Sequence, residues 1–373
     1  MRSSKWLLAV GACLGVLALG IGVAACGSSS SDNGSASASS GSSIPGGTIN
    51  GAGSTFVQPL VEEWGKTVSD QDGLTVNYTG NGSGAGQAQL INGTVDFAGS
   101  DPPLEPSQFK QVSSKNGTSA VQIPVAFGAV TLSYNVPGLD AGLKLDGPTI
   151  ADIFLGKVTK WNDPEIAKLN PGMNLPDTDV TVIHRSDDSG TTKLFTTFLS
   201  DYSPTWKSQV GADSTVKWPT GTGANGNDGV AGAIKQTSGS VGYVELAYAL
   251  QGGFTTASVK NSDGNYVAPD LKSTTAAASN IKLPSNLGVL SVNAPGADSY
   301  PIASATHLMT YKDLCKAGLS KTDAQNVVGF LDYVLGPGQD TEAKLSYAKD
   351  PPNVLGPAQK AAAGLECNGS PVS

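Results

Sequence analysis

The chain has 373 residues with 47 glycines, 22 prolines, 14% charged residues and a net charge of −8. This acidic balance, without a lysine and arginine cluster, excludes a nucleic-acid-binding protein, because such proteins displace counterions from phosphate with basic side chains. The composition indicates a loop-rich soluble protein outside the membrane, and net charge alone does not exclude a buried site for a small anion.

Residues 1–25 are predicted to form a lipoprotein signal peptide. Two basic residues precede an apolar run from Trp6 to Ala25, and its length leaves an uncleaved membrane helix or plain secretion as alternatives. The small residues of "VAAC" directly precede Cys26, which is typical of a site where that cysteine is lipidated and becomes the mature N-terminus. We therefore expect a lipid anchor at Cys26 and a location at the extracytoplasmic face of the cell membrane.

Residues 26–46 are nearly pure glycine, serine and small polar residues, so they predict a flexible tether that cannot bury a core. The folded part is expected to begin near Gly47. The remaining stretch of roughly 325 residues is too long for one hydrophobic core and is typical of two domains.

From Gly47 onward, short strand patterns alternate with helical patterns. A helix predicted over 55–70 places Val57, Leu60, Val61 and Trp64 on one face. This alternation predicts an α/β protein with a parallel sheet. The predicted strands are 47–55, 74–80, 95–101, 126–136, 180–185 and 239–246, and the predicted helices are 55–70, 82–94, 149–158, 191–202, 229–237 and 326–348.

Two cysteines, Cys315 and Cys367, remain once the signal peptide and the lipidation site are set aside. In an oxidising compartment such a pair is most simply a disulfide. A metal site is the alternative, but the two histidines, His184 and His307, lack ligand spacing to either cysteine.

Glycine and hydroxyl residues recur where predicted strands pass into helices, at "GAGSTF" (51–56), "GNGSGAG" (80–86) and "DDSGTT" (187–192). Free N–H groups and the helix dipole make such a junction suitable for an anion. Each of Thr55, Ser83 and Ser189 could instead be an ordinary helix N-cap. Three such junctions in one chain favour an oxyanion site.

Enzyme and nucleotide motifs are weak or absent. "GNGSGA" matches a dinucleotide fingerprint only loosely, "GKT" at 65–67 lacks the glycine that a P-loop requires, and no G-x-S-x-G sequence occurs. A hydrolase needs a nucleophile with its base or a metal clamp, and neither pattern is present. Asp101 ends a predicted strand, where an ionised carboxylate could accept a proton from a ligand, although it could also be a solvated loop residue.

These motifs together resemble the PstS family, the phosphate-binding lipoproteins that serve bacterial phosphate ABC transporters. The resemblance covers the chain from about Gly47 and rests on segments that occur in family order. They are "GAGSTF", "GNGSGAG", "VDFAGSDPPL", "DIFLGKVTKWNDPEIAKLNPG", "RSDDSGTT", "VKWPTGTGANGNDGVAG" and "GSVGYVELAYA".

The resemblance implies a type II periplasmic-binding-protein fold with two α/β lobes, each a mostly parallel sheet flanked by helices. Lobe I would contain residues 47–125 and 300–373, and lobe II would contain residues 126–299. Two strands near 125–126 and 299–301 would form the hinge.

The implied function is high-affinity extracytoplasmic binding of inorganic phosphate and its delivery to the transmembrane permease subunits of an ABC transporter, without a cofactor, a metal or catalysis. A phosphate-ester hydrolase and a binder of sulfate, molybdate or phosphonate remain alternatives. The phosphate contacts implied by the resemblance are Thr55, Phe56 (through its N–H), Ser83, Asp101, Arg185, Ser189, Gly190 and Thr191.

In the resemblance, Asp187 pairs with Arg185, and Asp101 accepts the proton of the ligand. Two positions depart from the family, which commonly has alanine at Ser54 and glycine at Asp188. Asp188 adds a negative charge near the anion, so it must point to solvent or the site must tolerate it.

Overall fold

A computed structural model of the chain describes residues 44–139 and 141–372. The predicted signal peptide, Cys26 and the tether as far as residue 43 lie outside the described residues. Within the described part, every helix is too short or too polar to cross a lipid bilayer.

The helices of the described residues are six to fifteen residues long. They are α1 Gln58–Asp72, α2 Ser83–Asn92, α3 Pro106–Asn116, α4 Gly147–Phe154, α5 Pro164–Leu169, α6 Gly190–Tyr202, α7 Pro204–Gln209, α8 Gly226–Gln236, α9 Leu246–Gly252, α10 Leu271–Ser279, α11 Lys321–Val334, α12 Gln339–Lys344 and α13 Pro352–Ala363.

The strands vary from two to sixteen residues in length. They are β1 Gly47–Gly53, β2 Leu74–Gly80, β3 Phe97–Ser100, β4 Ala120–Asn135, β5 Lys144–Leu145, β6 Thr181–Arg185, β7 Thr222–Ala224, β8 Ser240–Glu245, β9 Thr255–Thr256, β10 Ser258–Lys260, β11 Tyr266–Val267, β12 Ala303–Tyr311, β13 Glu366–Cys367 and β14 Ser370–Pro371.

One long strand, β4, joins two halves of a mixed sheet with the order β2-β1-β3-β12-β4-β8-β6-β7, and β9 also pairs with β4. Its residues 120–129 pair with β12, and its residues 130–135 pair with β8. We call the strands on the β12 side the first sheet half and those on the β8 side the second sheet half.

Parallel pairing occurs away from the long strand, between β1 and its neighbours β2 and β3 and between β6 and its neighbours β7 and β8. The pairs that involve β4 or β12 in this sheet are antiparallel. The α/β class predicted from the sequence is therefore confirmed. Each sheet half contains both parallel and antiparallel pairs, because the strands beside β4 pair with it in the antiparallel direction.

Helix α1 shows how the sequence pattern becomes packing. The four residues predicted to share a face, Val57, Leu60, Val61 and Trp64, are all buried. The Trp64 indole N–H donates to the Gly338 carbonyl, so the buried polar group is satisfied. The helix ends where Gly73 adopts a left-handed conformation, which glycine tolerates without a steric penalty.

The C-terminal region differs from the prediction of one helix over 326–348. The segment "GPG" at 336–338 separates α11 from α12, since proline cannot donate to the helical ladder.

A disulfide joins Cys315 to Cys367, closing a sequence separation of 52 residues. A loop of that length is stabilised by about 4 kcal/mol in the chain-entropy model.

Candidate functional site

The three glycine and hydroxyl junctions meet at one place between the two sheet halves. A Cβ atom built on Gly190, at the start of α6, would lie 2.3 Å from Asp101 Oδ2 and 2.4 Å from Ser83 Oγ. The start of α6 therefore lies against the end of β3 and the start of α2. The predicted contact residues at this place are all buried: Thr55, Phe56, Ser83, Asp101, Arg185, Ser189, Gly190 and Thr191.

Glycines allow the elements of the first sheet half to pack this closely. A Cβ atom on Gly53 would lie 2.1 Å from the Gly99 carbonyl oxygen, and one on Gly86 would lie 2.6 Å from the Gly53 Cα. Gly53 also has φ +133°, a value that other residues rarely adopt. The close approach brings the start of α2 beside the ends of β1 and β3.

The hydroxyl residues at the junctions are not three equivalent caps. Ser189 is the N-cap of α6, where its Oγ accepts the Thr192 N–H at 3.1 Å. Ser83 is the first residue of α2, whose N-cap is Gly82, and Thr55 precedes Val57, the N-cap of α1. The ordinary-cap explanation therefore holds for Ser189 alone, and the other two hydroxyls have different partners.

Asp101 is held by hydroxyl groups. Ser54 Oγ donates to its Oδ1 at 2.7 Å, and Thr306 Oγ1 donates to the same oxygen at 2.8 Å. Ser83 Oγ lies 3.3 Å from Oδ2 and accepts the Asp101 N–H at 3.2 Å. A register shift between Thr306 and His307 interrupts the pairing of β12 with β4 beside this contact.

Complete burial disfavours the charged form of Asp101 and raises the pKa of this carboxyl to about 6. The hydroxyl donors Ser54, Thr306 and Ser83 and the positive charge of Arg185 act in the opposite direction without cancelling the effect of burial. Asp101 is therefore a buried acceptor that is largely ionised at neutral pH.

Arg185 and Asp187 form a buried ion pair at the end of β6. The Arg185 Nε–H donates to Asp187 Oδ1 at 2.7 Å, and Nη2 donates to Oδ2. Burial would raise the pKa of Asp187, but the hydrogen bonds and charge of Arg185 outweigh it, so this pKa lies below its ordinary value. The Gly226 N–H also donates to Asp187, at 3.1 Å. The arginine charge is thus neutralised locally.

Asp188 lies outside the buried set. Its side chain is exposed, and its carbonyl accepts the Gly84 N–H at 3.2 Å. A Cβ atom on Gly84 would lie 2.0 Å from the Asp188 carboxyl carbon, so this carboxylate covers the first turn of α2. Negative charge is favourable at a helix N-terminus. The extra carboxylate is therefore placed at the mouth of the site, where solvent reaches it.

Asn227 is a site residue that sequence reasoning did not single out. Its Nδ2 donates to Thr55 Oγ1 at 2.9 Å and to Thr191 Oγ1 at 3.3 Å, and its backbone N–H donates to Thr55 Oγ1 at 3.2 Å. Because Thr55 Oγ1 accepts both of these bonds, its own proton remains available to donate. Asn227 lies in "VKWPTGTGANGNDGVAG", one of the segments that resemble the PstS family, and that resemblance could have identified it.

Two expected donors have partners inside the protein. The Phe56 N–H donates to Ser54 Oγ at 2.9 Å, and Arg185 Nη1 donates to Thr191 Oγ1 at 3.2 Å. The carbonyl groups on either side of this turn are fixed by tyrosines, since Tyr248 donates to Thr55 O at 2.7 Å and Tyr347 to Phe56 O at 2.6 Å. The turn at Thr55 and Phe56 is thus anchored by one tyrosine in α9 and by another that follows α12.

The arrangement can hold a small tetrahedral oxyanion. It offers neutral O–H and N–H donors at two helix starts, one arginine whose charge is already paired, and one buried carboxylate that can only accept a hydrogen bond when ionised. Among residues 44–139 and 141–372, no group of three or more histidine, cysteine, aspartate or glutamate residues could hold a metal ion.

Comparisons with known proteins agree with this geometry. A model of the PBP superfamily domain matches residues 36–337. The "Phosphate-binding protein PstS" of Pasteurella multocida is 41% identical over 311 residues, which cover 83% of this chain and 88% of that protein. The protein of the same name from Methanocaldococcus jannaschii is 37% identical over 315 residues, covering 79% and 80%.

Solved structures share the fold. A high-affinity periplasmic phosphate-binding protein bound with phosphate aligns with a TM-score of 0.68 and 22% identity, covering 86% of this chain and 96% of that one. A phosphate-binding protein from Stenotrophomonas maltophilia aligns with a TM-score of 0.64 and 21% identity, covering 83% and 92%. The sequence matches and the shared fold lead to one assignment: this chain belongs to the PstS family of the PBP superfamily.

Proposed function

We propose that this chain binds inorganic phosphate outside the cytoplasm and delivers it to the transmembrane permease subunits of an ABC transporter. The observation that carries the proposal is Asp101, a fully buried carboxylate with hydroxyl donors on Oδ1 and an Oδ2 directed toward the start of α6. Such a group suits a ligand that is negatively charged and yet still carries a proton.

Phosphate at neutral pH meets both conditions, since its mono- and dianion each keep at least one O–H group. Sulfate is of similar size and shape but has no proton at this pH, so it would place a lone pair against the lone pairs of Asp101. An unpaired buried acceptor costs about 1–3 kcal/mol, and more when it is charged. The Asp101 carboxylate therefore favours phosphate because it makes the binding of sulfate less favourable.

The remaining proposed contacts supply donors. Thr55 and Thr191 would donate through hydroxyl protons that Asn227 leaves free, and Ser83 and Ser189 would add theirs. The N–H groups of Phe56, Gly190 and Thr191 would complete the set, with the Phe56 N–H exchanging Ser54 Oγ for the ligand. Arg185 would supply the positive charge while Asp187 keeps its guanidinium in place.

The ligand would be enclosed between two lobes, with residues 47–125 and 300–373 in lobe I and residues 126–299 in lobe II. The change of partner along β4, from β12 to β8, supports a hinge near the first of these boundaries. A lipid on Cys26 would hold the protein at the outer face of the cell membrane beside its permease. No catalytic role is proposed.

Thermal denaturation with phosphate, arsenate and sulfate at equal concentration tests the proposal. A ligand present at 100 times its Kd raises the free energy of unfolding by about 2.7 kcal/mol. We expect a rise in Tm with phosphate and arsenate, which both retain a proton, and little change with sulfate.

A larger Tm rise with sulfate than with phosphate would overturn the assignment. Turnover of p-nitrophenyl phosphate by the purified protein would instead support the hydrolase alternative. Both measurements use the folded chain as it exists and need no variant.

A further inference from the structure

Ser54 links the proton acceptor of the site to the turn that contains Thr55 and Phe56. Its hydroxyl donates to Asp101 Oδ1 at 2.7 Å and accepts the Phe56 N–H at 2.9 Å. The side chain is buried, so both contacts are shielded from water. Ser54 is therefore in direct contact with the group that would distinguish one oxyanion from another.

The two oxygens of Asp101 are in different environments. Oδ1 accepts two hydroxyl protons, from Ser54 and from Thr306 at 2.8 Å. Among residues 44–139 and 141–372, the one hydrogen-bond contact of Oδ2 is Ser83 Oγ at 3.3 Å. An oxygen that already accepts two short hydrogen bonds has little room for a proton of its own. A proton added to Asp101 would accordingly sit on Oδ2, the oxygen that faces Gly190.

We propose that Ser54 is a specificity-determining residue, which holds Asp101 in its ionised, proton-accepting form and so sets the pH below which the site stops rejecting fully deprotonated oxyanions. This inference rests on the proposed function, because it assumes that the ligand proton meets Asp101 Oδ2. It adds to that function the range of pH over which the site prefers phosphate to sulfate.

The other ionisable groups around Asp101 are the same in the wild type and in Ser54→Ala. Burial raises the pKa of Glu245, Tyr78 and Tyr347 and lowers that of His307 to about 4, and the positive charge of Arg185 lowers the pKa of Asp101. These groups are the same whether residue 54 is serine or alanine. A difference between the two proteins therefore reports on the Ser54 hydroxyl.

The two protonation states of Asp101 have opposite effects on two ligands. The ionised form accepts a proton from phosphate and repels sulfate, whereas the protonated form can donate to sulfate. Phosphate affinity should fall, and sulfate affinity should rise, as pH decreases through the pKa of Asp101, which lies at about 6. We call the pH at which the two affinities change the transition. Removal of a donor to the ionised carboxylate moves this transition to higher pH.

The experiment is calorimetric titration of phosphate and of sulfate between pH 5 and pH 8 for the wild type and for Ser54→Ala. Loss of one hydrogen bond to a charged group should raise the transition by about one pH unit. Halfway between the two transitions, sulfate binding should strengthen about threefold while phosphate binding weakens by a similar factor.

Three further variants make the result specific. Thr306→Val removes the second donor to Oδ1 and should shift the transition in the same direction, and Ser54→Thr restores the hydroxyl and should return it toward the wild-type value. Thr310→Val is the matched control on the same strand, since Thr310 Oγ1 donates to the Asp96 carbonyl and not to Asp101.

The outcomes separate the inference from the proposed function. If Ser54→Ala weakens both anions equally at every pH, Ser54 only shapes the turn and the inference is wrong. If the wild type loses sulfate rejection at low pH but Ser54→Ala does so at the same pH, the inference is again wrong while phosphate binding stands. If the wild type binds no phosphate at any pH, the proposed function itself fails.

Discussion

Asp101 and Asp187 are both removed from water in the same site, yet the protein stabilises them in different ways. Asp101, in the first sheet half, is surrounded by hydroxyl groups, and its pKa is raised to about 6. Asp187, in the second sheet half, is bonded by the Arg185 guanidinium, and its pKa is lowered. The difference indicates a division of roles, in which one carboxylate senses the proton of the ligand and the other positions a cation.

The largest effect is expected from removing the cation of the buried pair. Arg185→Met would leave Asp187 buried without its partner and should lower the free energy of unfolding by about 3–5 kcal/mol. Urea denaturation of the ligand-free protein measures this, and phosphate titration should show loss of binding in the same variant.

Two controls sharpen that result. The double variant Arg185→Met, Asp187→Leu should recover much of the stability, because an apolar pair avoids the cost of an unpaired charge, but it should not recover binding. Lys66→Met removes the exposed pair with Asp70 and should leave the urea midpoint close to that of the wild type. An unchanged midpoint for Arg185→Met would contradict the structural role of the pair.

A smaller effect is expected in the pH dependence of stability. Because the pKa of Asp101 is raised on folding, its ionisation destabilises the ligand-free protein as pH rises from about 4 to about 6. Because the pKa of Asp187 is lowered, its contribution is present above about pH 4 and is lost as pH falls through its folded value.

Urea denaturation from pH 3.5 to pH 7 distinguishes the two carboxylates. Relative to the wild type, Asp101→Asn should gain stability as pH rises between 4 and 6. Asp187→Asn should lose relative stability as pH rises from 3.5 and then show a constant deficit. Two difference curves with the same slope would contradict the opposite pKa shifts of Asp101 and Asp187.

Local pattern was sufficient for much of the fold and of the site. The alternation of strand and helix signals from β1 to β3 and the apolar face of α1 depend on neighbouring residues, and both were predicted. The glycine and hydroxyl junctions also carry their chemistry within a few residues. The pairing of Arg185 with Asp187 was implied by the resemblance to the PstS family, and the structure has this ion pair.

The residues that were missed depend on contacts between distant parts of the chain. Thr306 reaches Asp101 over 205 positions, and Asn227 reaches Thr55 over 172. Strand β12 was not predicted, since its partners β3 and β4 lie far from it in sequence. A hydroxyl or amide becomes a site residue in such cases only when the tertiary fold brings its acceptor near.

Asp101→Asn tests most directly whether a proton-accepting carboxylate selects the ligand. Its Oδ1 would still accept from Ser54 and Thr306, while the amide at the other position would donate where the carboxylate accepted. Calorimetric titration at pH 7.5 should show the preference for phosphate over sulfate reduced by about tenfold or more. An unchanged ratio of the two affinities in this variant would contradict the role of Asp101.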